Sequence, residues 1–368
     1  MKCSHFGMCG SCNFYEFEYQ EALERKKRQM QELYEGIYSG DIELFSSPAS
    51  NHRARAEFKI WHEGKSCFYA MTNLDKDGVV KIDECPKLIE PIVSVQYRLL
   101  ELINKSEVLK HKLFSVEFLA SLKGDILVTL IYHKKLDEAW KQEAKALQEA
   151  LNIAVIGRAR KQKEIISKDY IEAEVKIDSK IFKYQYFDSG FTQPNPYINK
   201  AMISWALGVA SGKDDLIEAY CGLGNFTIPL SRHFNRVLAT EVSKTSIKNA
   251  KVNCELNGVD NIEFIRLNAS ETAQALRGDR EFNRLRGVDL KRYNFSTILV
   301  DPPRAGLDED SLKLSQSIDN IIYISCNPQT LIRDLKELTK THKIKRVAMF
   351  DQFPYTTHIE NGVYLERI

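Results

Sequence analysis

What this chain has little of already narrows its class. No run among its 368 residues approaches the ~20 apolar positions that a membrane-crossing helix needs. Its first residues are polar and cysteine-rich, without the apolar core of a signal peptide. A cytoplasmic, monomeric protein is therefore expected. Net charge is only +2, so any contact with nucleic acid must come from local basic patches rather than a global field. Internal repeats and low-complexity segments are lacking. A disulfide framework is not expected either: of eight cysteines, three crowd into the first twelve residues and the rest scatter to 67, 85, 221, 254 and 326. In a large cytosolic chain such clustering points to metal or to chemistry.

What is present suffices for two cores: 43% of the residues are hydrophobic. Residues 15–38, "YEFEYQEALERKKRQMQELYEGIY", read as a charged amphipathic helix. From about 53 to 185 the pattern is α+β, with strands in "RARAEFKIWHEG", "DILVTLIYH" and "IAVIGRAR" and a helix in "KLDEAWKQEAKALQEALN". Beyond about 190 strands and helices alternate regularly, through "DLIEAY", "RVLATEV", "IEFIRLN", "STILVD", "IIYISC", "KRVAMF" and "GVYLER". The last two lack a clear helix between them. This predicts an α/β fold, a doubly wound sheet ending in a hairpin. The expected divisions are a Cys-rich segment and helix (1–40), an α+β domain (41–188) and the doubly wound domain (189–368).

"LIEAYCGLGNF" is a strand running into a glycine turn, Gly222-x-Gly224, where backbone can approach a ligand closely. The third glycine of a dinucleotide fingerprint is missing, which disfavours a nicotinamide dehydrogenase. Glu241 ends the next strand, about 20 residues on, where a carboxylate can hold ribose hydroxyls. Adenosine without a pyrophosphate fits, namely S-adenosylmethionine. In "ILVDPPRAG" two prolines stiffen the loop and hold Asp301 at the carboxyl edge of the sheet.

Cys326, in "YISCNPQTL", stands at the same edge, and "FDQFPYTTHIENGVYL" brings Glu360 in just before the final strand. A thiolate is a strong nucleophile. Pyrimidine C5 is a poor one until a thiolate adds at C6 and leaves an enolate, whose C5 can accept a methyl group from a sulfonium. The C5 proton must then leave to a base, and a buried carboxylate with a raised pKa suits that task.

With these motifs in place, "RARAEFKIWH", "HKLF", "LIYHKKLDEAWKQEA", "GFTQPN", "YCGLGNF", "REFNRLRGVDLKRY", "VDPPRAGLD" and "FDQFPYTTHIENGV" together resemble the tRNA uracil-5-methyltransferase family over about residues 48–368. The resemblance implies a Rossmann-like class I methyltransferase domain with an RNA-binding α+β domain before it. The expected reaction is methylation of uridine 54 in the T arm of tRNA. It implies Cys326 as nucleophile and Glu360 as base, with Gln193, Tyr220, Asn225, Glu241 and Asp301 lining the S-adenosylmethionine site. Arg53, Arg55 and Lys134 are candidates for phosphate contacts, and Phe114 for stacking on an exposed base.

The N-terminus departs from that pattern. Cys3-x5-Cys9-x2-Cys12 and the Cys-Pro at Cys85 resemble iron–sulfur ligation. They are similar to the cluster site of related 23S rRNA uridine-5-methyltransferases, so a [4Fe–4S] cluster on Cys3, Cys9, Cys12 and Cys85 is expected. A zinc site using His5 is the alternative. Two other functions stay open: methylation of 23S rRNA, and an RNA-folding factor whose methyl transfer is incidental.

Overall fold

The computed structural model describes residues 1–210 and 214–368. Its larger sheet has eight strands in the order β1 (Ile42–Phe45), β16 (His342–Phe350), β17 (Glu360–Arg367), β15 (Asn320–Ser325), β14 (Phe295–Val300), β11 (Asp215–Ala219), β12 (Val237–Thr240) and β13 (Ile262–Ile265). The middle strands are covered on both faces, which is why β11 and β15 read as apolar runs rather than alternating ones. One face packs against helices Pro196–Val209 and Lys244–Asn257; the other packs against helices Tyr19–Tyr34, Ala269–Arg277, Glu309–Gln316 and Pro328–Leu338. This is the expected doubly wound, Rossmann-like architecture.

Two features of this sheet place the site. β11 pairs in parallel with both β12 and β14, so the direction of winding reverses at β11, where ligands of such sheets bind. β17 runs antiparallel between β15 and β16. Its first residue therefore lies at the edge where the parallel strands end: Ser325 pairs with Asn361, and Phe350 with Glu360.

The second sheet holds β2 (Arg55–Glu63), β3 (Ser66–Thr72), β4 (Val79–Lys81), β5 (Leu113–Ala120), β6 (Ile126–Tyr132), β7 (Ala154–Ala159) and β8 (Gln162–Ile165), in the order β4-β3-β2-β5-β6-β7-β8. Helices Glu90–Lys105 and Glu138–Leu151 cover one face. The second of these starts where Asp137 accepts from the Trp140 N–H at 2.9 Å, and it ends at Asn152 in the left-handed region. A hairpin of β9 (Tyr170–Ile177) and β10 (Lys180–Phe187) seals part of the other face through Ile171.

Two expectations change. Helix Tyr19–Tyr34 and β1, placed by the sequence outside the doubly wound domain, belong to it: Leu23, Met30 and Tyr34 enter its core, and β1 pairs with β16 from Ile42–Val347 to Phe45–Phe350. A four-residue edge strand whose partner lies about 300 residues away leaves no local signal. The candidate phosphate contacts are also engaged internally. Arg53 Nε donates to the Arg55 carbonyl at 2.8 Å, Arg55 donates to the carbonyls of Asp188 and Gly190, and Lys134 Nζ donates to the Val108 carbonyl at 2.7 Å. With Arg158 and Lys163 paired to the buried Asp188, Arg55 holds the turn at residues 188–190 that follows β10 of the hairpin. Phe114 remains 42% exposed, stacked on His133 with ring centroids 4.4 Å apart.

Gly362 of β17 is packed too closely for any side chain, since a Cβ there would meet Trp205 Cζ3 at 2.8 Å and Phe350 Cε2 at 3.0 Å. Gly362→Ala is expected to lower stability by about 1–3 kcal/mol in chemical denaturation.

Candidate active site

The loop after β11 is built from left-handed backbone: Tyr220 at φ +65°, Gly222 at +56° and Gly224 at +86°. For Tyr220 this conformation is strained, a feature that concentrates at functional loops. A Cβ on Gly224 would meet Ile228 Cδ1 at 3.0 Å, whereas the Cβ side of Gly222 is open, with nothing within 4 Å. The backbone thus presents an uncluttered surface where a ligand can lie against it. Glu241 turns its carboxylate to this loop. It accepts from the Gly222 N–H at 3.2 Å and from the Ser243 N–H at 2.7 Å. Asn225 and Asn199 exchange amide hydrogen bonds at 2.8 and 3.0 Å, which orients Asn225.

Gln193, Tyr220, Asn225 and Asp301 line a single cleft with Phe191, Thr192 and Gly222. Four of the five expected cofactor residues thus come together, and the fifth, Glu241, is hydrogen-bonded to Gly222 of the same cleft. Phe191, which the sequence reading passed over, is 73% exposed at this cleft. Gln193 accepts a hydrogen bond from Gln352, which links the cleft to the loop leading into β17. An open glycine turn, a carboxylate one strand away and an exposed ring suit an adenosine with a charged tail. The residues present fit S-adenosylmethionine.

Beside the cleft three residues singled out in the sequence converge. Asp301 follows β14, Cys326 follows β15, and Glu360 opens β17. Their loops are stitched together: Asn327 Nδ2 and Thr330 Oγ1 both donate to the Arg304 carbonyl (2.9 and 3.1 Å), and Asn361 Nδ2 donates to the Ser325 carbonyl at 3.0 Å. Burial pushes the Glu360 carboxyl well above its ordinary range, Asp301 adds to the rise, and Arg304 opposes it. Burial likewise raises Asp301. The Cys326 thiol is raised first by burial, then by Glu360 and Asp301, while Arg304 pulls it down. Loss of water thus raises all three groups, and a carboxyl raised in this way is a stronger base once ionised.

Two members of this group were missed. Arg304 stands in the quoted "VDPPRAG" but was not singled out. Glu218 of β11 is 1% exposed, and burial raises its pKa to about 8, with Asp301 adding to the shift. Its signal in the sequence was a lone acid inside the apolar run "LIEAY".

Cys3, Cys9, Cys12 and Cys85 all line one cavity of about 320 Å³, which His5, Arg53, Lys87, Arg304 and His358 also border. Burial raises the Cys3 thiol, and Cys12 and Cys9 add to it. Among the described residues no three His, Cys, Asp or Glu side chains gather closely enough to hold a single metal ion.

The tRNA (uracil-5-)-methyltransferase family profile matches residues 18–368. The chain is 56% identical to a tRNA/tmRNA (uracil-C(5))-methyltransferase of a Sulfurovum species over 370 residues, covering 100% of both chains. It is 50% identical to the protein of the same name from a Nitratiruptor species, again over 100% of both. In fold it is similar to Pyrococcus abyssi tRNA (uracil-54, C5)-methyltransferase in complex with S-adenosyl-L-homocysteine. That match has a TM-score of 0.75 at 22% identity, over 96% of this chain and 85% of that one.

Since only the thiolate reacts with alkylating agents, the charges around Cys326 make a signed prediction. Alkylation of the Cys326 peptide, followed by mass spectrometry against pH, is expected to rise later than for an ordinary thiol. Arg304→Gln shifts the curve to still higher pH, and Asp301→Asn shifts it to lower pH.

Proposed function

The chain belongs to the tRNA (uracil-5-)-methyltransferase family, and we propose that it methylates C5 of uridine 54 in the T arm of tRNA through a covalent Cys326 adduct. One observation carries this reading: the antiparallel β17 delivers Glu360 to the edge where Cys326 and Asp301 end their strands, beside the Tyr220–Asn225 loop. S-adenosylmethionine, when bound, supplies an electrophilic methyl group and departs as S-adenosylhomocysteine. Gln193, Tyr220, Asn225 and Asp301 hold it in the cleft, and Glu241 braces the glycine turn.

The chain's own residues do the rest. Cys326 adds as thiolate to C6 of the uracil, forming a C–S bond and moving the ring electrons to C5 and O4. Arg304 favours that thiolate against the two acids beside it. C5 then forms its bond to the methyl carbon. Glu360 takes the C5 proton, the C5=C6 double bond re-forms, and the C–S bond breaks with its electron pair to return the Cys326 thiolate. For this to happen the uridine must leave the T loop, and residues 46–188 are the unit we assign to gripping the RNA, with the exposed Phe114 and its His133 partner as a stacking platform.

For the N-terminal cysteines we propose a [4Fe–4S] cluster held by Cys3, Cys9, Cys12 and Cys85. The support is their common cavity and the Cys85-Pro86 step. The cluster would tie residues 1–12 to the second sheet, next to the backbone bond from the Gly10 N–H to the Thr72 carbonyl at 2.9 Å.

The test is labelled methyl transfer to unmodified tRNA and, in parallel, to 23S rRNA, with digestion to nucleosides. Label in 5-methyluridine from tRNA alone is expected, falling by ~10³ or more in Cys326→Ala. Glu360→Gln is expected to leave a protein–RNA adduct that survives denaturing electrophoresis. Label in rRNA alone would overturn the tRNA reading. Iron and acid-labile sulfide are expected at about four each per chain in anaerobically purified protein; zinc without sulfide would sink the cluster.

A further inference from the structure

Deepening that reading, and resting on Glu360 as the base, we propose that Lys26 is the positioning residue that aims it. Lys26 lies mid-way along helix Tyr19–Tyr34 and is 2% exposed. Its ammonium has three protons to donate, and all three go to one loop: Asp351 Oδ1 at 2.7 Å, the Phe353 carbonyl at 2.9 Å and the His358 carbonyl at 2.9 Å. These are the first, third and last residues of the eight that separate β16 from Ile359 and Glu360. One side chain therefore draws both ends of the loop together.

The staple is anchored on its far side as well. Asp351 Oδ2 accepts from the Tyr19 hydroxyl at 2.8 Å, that hydroxyl accepts from the Ser47 N–H at 2.8 Å, and the Asp351 N–H donates to the Phe45 carbonyl at 3.0 Å. Mid-loop, Tyr355 is held at φ +60°, and its carbonyl accepts from the N–H groups of Asn13 and Phe14 at 3.1 and 3.0 Å. A loop with strained backbone keeps its shape only when its surroundings over-determine it.

This arrangement is poorly explained as stability alone. Two charges taken out of water contribute little net, and an apolar pair would hold the helix to the sheet as well. What an apolar pair cannot do is bind two carbonyls on opposite arms of a loop. Glu360 is the first residue of β17, so the direction of its carboxyl follows from where the loop delivers the strand. Lys26 thus acts first on the step that needs Glu360, removal of the C5 proton; the same loop also reaches the cofactor cleft through Gln352 and Gln193, so KM for S-adenosylmethionine is read apart from the adduct.

That separation supplies the test. Wild type, Glu360→Gln and Lys26→Met are each incubated with unmodified tRNA and S-adenosylmethionine, then resolved on denaturing gels. Lys26→Met is expected to accumulate methyl-labelled Cys326–RNA adduct about tenfold over wild type, with kcat down about tenfold and KM within about threefold. A merely structural role predicts loss of activity without adduct. Adduct in Glu360→Gln but none in a folded Lys26→Met overturns the positioning role alone. Adduct in neither overturns the base assignment beneath it. If Lys26→Met does not fold, Tyr19→Phe keeps the charge pair and removes one bond to it. It should show a smaller accumulation, and a folded Tyr19→Phe without any overturns the proposal.

Discussion

The site depends on one reversal of direction. Every other strand of the catalytic core runs parallel, so their carboxyl ends share an edge and their amino ends face away. Had the last strand followed the same rule, Glu360 would open it on the wrong side of the sheet. By running antiparallel between β15 and β16, β17 brings its first residue beside the residue that follows β15. Cys326 and Glu360, from separate chain segments, are thereby brought to one edge, and hydrogen bonds of the sheet itself hold the two strands in register.

The same convergence creates an electrostatic conflict that the chemistry uses. Loss of water raises Asp301, Glu360, Glu218 and the Cys326 thiol alike, and Asp301 adds to the rise of the other three. Arg304 opposes the build-up of negative charge on both Cys326 and Glu360. In water such acids would ionise and be weak bases. Here ionisation is costly, so a proton on the substrate competes well for the carboxylate.

Around this centre the N-terminal segment acts as a clamp. Helix Tyr19–Tyr34 packs on the doubly wound core, the cysteine-rich turns pair with the second sheet at Thr72 and Met8–Leu74, and the stretch between them binds the loop ahead of Glu360. The two sheets are further joined where Arg55, Arg158 and Lys163 converge on residues 188–190. Of the cations that looked free for phosphate in a linear reading, Arg55 fastens residues 188–190, while Arg53 and Lys134 bond to the nearby carbonyls of Arg55 and Val108.

Much of this was legible in order along the chain. Apolar runs broken by Gly222-x-Gly224, Asp301-Pro-Pro and Cys326-Asn-Pro declare buried parallel strands ending in loops, because a strand covered on both faces needs no alternation and a turn needs glycine or proline. Those signals are local, so the doubly wound fold could be read from the residues, and Cys326, Glu360, Tyr220 and Asn225 could be proposed as site residues from the motifs and their resemblance to a family. What tertiary structure alone decided is non-local. Nothing near "IELF" tells that it pairs with β16, nothing near Lys26 tells that its charge is buried against Asp351, and nothing in "LIEAY" tells that Glu218 shares its surroundings with Asp301. Propensity and spacing act over a few residues, whereas pairing, burial and the pKa shifts that follow are set by groups that meet only once the chain has folded.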